Sequence, residues 1–126
     1  MGGGAYSAKR HRSRDIMGAG FATNSSNGVF FASMVGSDAI EFAEEAAEFV
    51  VLYPMMVERM DVKMKTNNKN GVTIYTLRRN RVDVGTPVSI AAGATPYSTE
   101  IQDVIYERGD RLAIEVDTSA STNASG

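Results

Sequence analysis

Through the middle of the chain, apolar side chains recur at every second position. Met60, Val62 and Met64 alternate with Asp61, Lys63 and Lys65, which puts sulfur and methyl groups on one face of an extended segment and charges on the other. Leu112, Ile114 and Val116 alternate in the same way with Arg111, Glu115 and Asp117, directly after the turn pair Gly109-Asp110. Residues 72–77 (VTIYTL) are dense in β-branched and aromatic types, and the run Asn67-Asn68-Lys69-Asn70-Gly71 before them reads as a hairpin connection turning at Asn70 and Gly71. Residues 57–66 and 72–80 are therefore expected to pair antiparallel. Val88 and Ile90, between Pro87 and Gly93, predict a short strand, residues 101–106 another, and residues 28–33 (GVFFAS) open the body.

Residues 38–52 admit two readings. Asp38-Ala39-Ile40-Glu41 fits a capping box, with Ile40, Ala43, Ala46, Ala47 and Val50 along one side of a helix of one to three turns. Against this, Phe49-Val50-Val51-Leu52-Tyr53 is a strand-like run stopped by Pro54. Strands spaced about ten residues apart with turn signals between them indicate an all-β fold, an antiparallel β-sandwich or jelly roll with an extended N-terminal arm. The expected division is residues 1–27 as a flexible basic arm, 28–118 as the sandwich and 119–126 (SASTNASG) as a flexible tail. Period-two patterning fixes faces and not neighbours, so strand order stays open.

Composition narrows the chemistry. The chain has 126 residues, enough for one core, with 43% hydrophobic and 22% charged side chains, as in an ordinary globular domain. It has no cysteine, which removes disulfide scaffolds, thiolate metal sites and a cysteine nucleophile. Its one histidine, His11, sits inside Lys9-Arg10-His11-Arg12, with no place for a base held by a carboxylate. Glu44 and Glu45 are adjacent and diverge from any shared substrate. Asp103, Asp110 and Asp117 lack the alternation of a calcium loop and read as turn residues. No enzyme activity, cofactor or metal is expected. Met55, Met56, Met60 and Met64 form a soft apolar cluster that suits core filling, with Met55 and Met56 as the candidates for an adaptable subunit contact.

Charge divides the chain in two. Residues 1–20 carry Lys9, Arg10, Arg12 and Arg14 against Asp15, or +3; the other 106 carry 9 basic and 14 acidic side chains, or −5, and the sum is the net −2. Four cations would neutralise only about four phosphates, and an acidic body opposes wrapping nucleic acid, so no nucleic-acid partner is expected. The arm suits an acidic protein surface, with a solvated tail as the plainer alternative. At about 3.3 Å per residue, 27 extended residues span roughly 90 Å. No apolar run reaches signal-peptide or membrane-spanning length, so no membrane partner is expected.

Three segments recur in a familiar order: Thr76-Leu77-Arg78-Arg79-Asn80-Arg81-Val82, then Val88-Ser89-Ile90-Ala91-Ala92-Gly93, then Gly109-Asp110-Arg111-Leu112. Over roughly residues 45–118 the chain resembles the small jelly-roll-like β-sandwich domains of tailed-bacteriophage virions, found in head decoration (cement) proteins and tail-fibre modules. In such domains Asn80 would open a tight turn and a Gly would follow it; here Arg81 takes that place, where a primed turn demands positive φ. The resemblance implies a virion protein made in the host bacterial cytoplasm, a homotrimer seated on the outer capsid surface that stabilises the shell without catalysing a reaction. Its partner would then be the major capsid protein, gripped by Lys9, Arg10, Arg12 and Arg14. The alternative is a tail-fibre or receptor- and glycan-binding module, with Tyr97 or Tyr6 as stacking platforms.

Overall fold

A computed structural model describes residues 17–18, 28–32 and 40–122. Among them the chain forms β1 (Val29–Ala32), β2 (Ile40–Glu41), a one-turn helix α1 (Glu44–Ala47), β3 (Phe49–Val50), β4 (Met55–Lys63), β5 (Thr73–Arg79), β6 (Val82–Ile90), β7 (Tyr97–Tyr106) and β8 (Arg111–Asp117). The strands make two antiparallel sheets. The larger runs β2-β1-β8-β5-β6, with β3 joining β8 beyond the end of β1; the smaller is β4 with β7. The protein is an all-β sandwich, and the period-two segments account for it. Met60 and Val62 of β4, Tyr75 of β5, Val88 and Ile90 of β6 and Val116 of β8 turn inward onto Phe30 and Ala32 in one cluster. Val51, Leu77, Val104, Tyr106 and Leu112 form a second cluster at the other end. Burying each such aliphatic side chain contributes about 2 kcal/mol.

The expected pairing of residues 57–66 with 72–80 does not occur. β4 pairs with β7, whereas β5 lies between β6 and β8 in the opposite sheet. The connection between them is a crossover held by its own polar side chains. Asn67 donates to the carbonyls of Ala91 and Ala94, at 3.2 and 2.8 Å, and accepts from Lys69 N–H at 3.0 Å. Asn70 exchanges two bonds with Thr122, and Gly71 N–H donates to Ser121 Oγ at 3.1 Å. A Cβ on Gly71 would run into the Ala120 backbone, so glycine is needed for close approach and not for a hairpin turn. Ser121 is buried by these contacts, so the packed body reaches Thr122, four residues into the segment expected as a free tail.

Residues 38–52 resolve as a mixture. The strand pairs of β2 and β3 flank α1, and the helix begins at Glu44, with Ala43 before it making no side-chain cap; Asp38 and Ala39 of the expected capping box lie outside the described residues. Among the described side chains of the predicted helical face, Ala47 alone is buried, against Phe31 and Ala113 on the outer side of the larger sheet. With one turn, α1 has almost no internal hydrogen bonding, and packing holds it.

β6 is longer than the two-residue core of Val88 and Ile90 suggested, because an irregularity hides its first half. Tyr75 pairs with Val88 and Leu77 with Val84, so Thr76 alone faces residues 85–87. Gly85 takes φ +72 there, and Pro87 has no N–H to offer a ladder. The freed backbone of Thr86 finds a partner in the other sheet: its N–H donates to Gln102 Oε1 at 3.1 Å, and its carbonyl accepts from Gln102 Nε2 at 2.6 Å. Gln102 sits at the matching irregularity of β7, where Glu58 of β4 faces Gln102 and Asp103 and the latter takes φ +50. A side-chain amide thus acts as a strand neighbour across the sandwich. Replacing it strands two backbone groups in a partly buried place, so Gln102→Ala is expected to lower unfolding free energy by about 2 kcal/mol in denaturant titration. Gln102→Glu should cost at least as much, because a carboxylate offers Thr86 O no donor.

Candidate interaction face

Lys9, Arg10, Arg12 and Arg14 lie outside the described residues. The turn residues lie within them. Asn80 and Arg81 have φ +51 and +68, a two-residue primed turn joining β5 to β6 with arginine where glycine is usual. Asn80 is pinned to the start of β8: its N–H donates to Arg111 O at 2.8 Å, its Oδ1 accepts from Arg111 N–H at 2.9 Å, and its Nδ2 donates to Asp110 Oδ1 at 3.0 Å. Gly109 has φ +90, and Asp110 Oδ2 accepts Glu107 N–H at 2.8 Å. The Asn80 amide and the Glu107 N–H hold the Asp110 carboxyl below its ordinary range.

Arg81 is kept in its left-handed conformation by Glu48, which follows α1. Its guanidinium bonds both Glu48 oxygens, at 2.9 and 3.3 Å, while the Glu48 side chain is only 6% exposed. Next to it, Arg78 forks onto Glu44 at 3.0 and 2.9 Å, and also reaches Asp83 at 2.6 Å, Arg81 O at 2.8 Å and Glu115 at 3.5 Å. Burial, reinforced by the Asp83 carboxylate, pushes the Glu115 carboxyl up. These pairs fasten α1 and the β5–β6 turn onto the outer side of the larger sheet. With every carboxylate but the exposed Glu45 in or beside an arginine fork, this cluster is structural.

The methionine cluster splits between the two faces of the smaller sheet. Met60 is buried, Met55 and Met64 pack at the edge of the core, and Met56 points outward, 42% exposed. Of the two methionines expected as subunit contacts, only Met56 is free to make one. It stands directly opposite Ile105, and Arg59 opposite Ile101. Ile101 and Ile105 are 64% and 57% exposed. The outer face of β4 and β7 therefore carries an apolar strip from Met56 through Ile105 to Ile101, with charged positions of β4 beside it.

At the far end of that face a polar cluster is centred on Asp61. Tyr97 O–H donates to Asp61 Oδ2 at 2.6 Å, Thr99 O–H donates to Oδ1 at 2.5 Å, and the Arg59 guanidinium reaches the two oxygens at 3.1 and 3.0 Å. The Thr99 and Tyr97 hydroxyls, more than Arg59, hold the Asp61 carboxyl below its ordinary value. In return, the hydrogen bond to Asp61 pushes the Tyr97 phenol up, although its ring is 66% exposed. The ring is thereby held in one orientation on the surface. Tyr97 was legible as a candidate; Ile101, Ile105 and the Asp61 cluster were not, because which strand faces β4 is a question of topology. Comparisons of the chain with protein-family models, with curated proteins and with solved structures found no match.

Two measurements test this geometry. In a pH titration followed by ring-labelled NMR, Tyr97 should ionise above the ordinary tyrosine value of about 10 and return toward it in Asp61→Asn. Asp61's own contribution to stability should be present above about pH 4 and fade as pH falls through its depressed folded value. For the turn, Arg81→Gly should stabilise the protein by on the order of 1 kcal/mol in a Glu48→Gln background, where only backbone strain is relieved. In the native background the gain should shrink or reverse, because Glu48 then loses its closest partner.

Proposed function

We propose that this chain is a phage virion structural protein, a capsid decoration (cement) protein that binds the outer capsid surface as a trimer and stabilises the shell. One observation carries the reading. The three segments that resemble such proteins fall together in one sheet, as the β5–β6 hairpin and the start of β8, while the other sheet leaves an open, partly apolar outer face. A rigid plug with one adhesive side suits a protein that works by sticking to a surface.

The mechanism is mass action. A protein that binds only the assembled shell stabilises it by RT ln(1 + [L]/Kd) per site, and many sites multiply the effect. Arg10, Arg12 and Arg14 would fork onto carboxylates of the major capsid protein, a term that weakens with salt. No covalent step is involved.

A second reading, a receptor- or glycan-binding tail-fibre module, is favoured by Tyr97, whose exposed ring is oriented by Asp61 as a stacking platform would need. Copy number separates the two, since cement occupies hundreds of sites per particle and a fibre tip few. Deleting residues 2–20 and quantifying copies retained on purified particles tests the arm: occupancy should fall, and the difference from the full chain should narrow as salt rises. Unchanged occupancy removes the arm from the mechanism.

A further inference from the structure

Among the described residues, the smaller sheet is covered on one side only. Its inner face packs on the larger sheet, but a two-stranded sheet is marginal without further support, and its outer face presents Met56, Ile101 and Ile105 to solvent with Tyr97 beyond them. Met56, Ile105 and Ile101 leave roughly 300 Å² of apolar strip open, and the Tyr97 ring, set apart by Thr99 and Asp61, adds about 150 Å². The strip alone matches a modest largest patch on a monomer, and the face as a whole is larger. With the neighbouring Arg59, Asp61 and Lys63 it approaches the ~800 Å² that each partner contributes to a stable interface.

Charge decides what partner fits. Residues 21–126 carry 9 basic and 14 acidic side chains, a net −5, so two copies repel over most of their surfaces. Along β4 and β7 here, Arg59 and Lys63 stand against Glu58, Asp61 and Asp103, a sum of −1 within a body of −5. A strongly charged partner finds little to recognise here, whereas a second copy meets far less repulsion than over the rest of the body. Burying the face also strands no lone charge on Asp61, because its carboxylate already takes bonds from Arg59, Tyr97 and Thr99. Lys63 in turn donates to Thr95 O.

We infer that the outer face of the β4–β7 sheet packs against further copies of this chain around a symmetry axis, with Ile101 of each copy close to Ile101 of the next. The inference rests on the homo-oligomer within the proposed function and supplies the face that builds it. A rotation axis running beside Ile101 brings the copies of that residue together whether it is twofold or threefold, and only the twofold packs the whole face on its own copy.

The absence of cysteine makes the test direct, since one introduced thiol is unique. Full-length Ile101→Cys and Ser89→Cys, the latter at an exposed position on the larger sheet, are oxidised with copper phenanthroline and run on non-reducing gels. Ile101→Cys should form covalent dimer at least about tenfold faster, as expected when the axis raises the effective concentration of the two thiols. Ile101→Glu should reduce the mass measured by light scattering to that of one chain while keeping the far-ultraviolet signature of a sheet. An oligomer that persists in Ile101→Glu, with Ile101→Cys cross-linking no faster than Ser89→Cys, overturns this face and leaves the oligomer standing. A native chain that sediments as one copy up to about millimolar concentration overturns both.

Discussion

The pairing of the Gln102 amide with the Thr86 backbone is the constraint on which the rest of the structure depends. Two irregularities, one in β6 and one in β7, face each other, and each would be a defect alone. Together they let one side chain do what a neighbouring strand would do, giving and taking a hydrogen bond with a backbone that has left its ladder. Gly85 is required for the approach, because any Cβ there would collide with the Gln102 side chain. The sheets are further tied by Tyr106 O–H donating to Arg78 O and Arg79 donating to Ile105 O, both at 2.9 Å. With its position fixed along β7, the smaller sheet is held as a two-stranded layer whose outer side no described residue covers.

The larger sheet solves the same problem differently. Its outer side is covered in part by α1, too short to persist by its own hydrogen bonds, and by the arginine forks that hold α1 in place. The Asn80-Arg81 turn belongs to that arrangement. An arginine at φ +68 is strained, and it persists because Glu48, Asn80 and Arg111 over-determine it. The guanidinium that glycine would forgo is the group that anchors the end of the helix. Backbone strain at this position is thus the counterpart of an ion pair in which one member is nearly buried.

How much of this was legible in the sequence follows from what period two encodes. Alternation in β4 and β8 correctly separates Met60 and Val62, or Leu112 and Val116, from the outward charges. It says nothing about partners, so it is equally compatible with β4 beside β5, whereas the chain crosses to the other sheet between them. The asparagine-rich run 67–71 looks like a hairpin turn, but Asn67 and Asn70 serve long-range contacts with residues 91, 94 and 122. Gly85 and Pro87 concealed half of β6, since both residues argue against a strand wherever no irregularity is foreseen. Met56 differs from Met55 only by facing the other way. The Ile101–Ile105 strip became visible once β7 was placed beside β4.

The two outer sides of the sandwich consequently differ in kind, and the difference bears on how a cement protein would assemble. The outer side of the larger sheet holds Glu44 and Glu115 nearly buried around Arg78, with Asp83 exposed beside them, a surface already occupied by α1 and its arginine forks. The smaller sheet presents a weakly charged, partly apolar surface that no described residue covers. If copies meet through the smaller sheet, the arginine-forked sides face outward, and residues 9–14 are not needed for the contact between copies. Association and surface binding would then use separate parts of the chain, and neither would have to be undone for the other to occur.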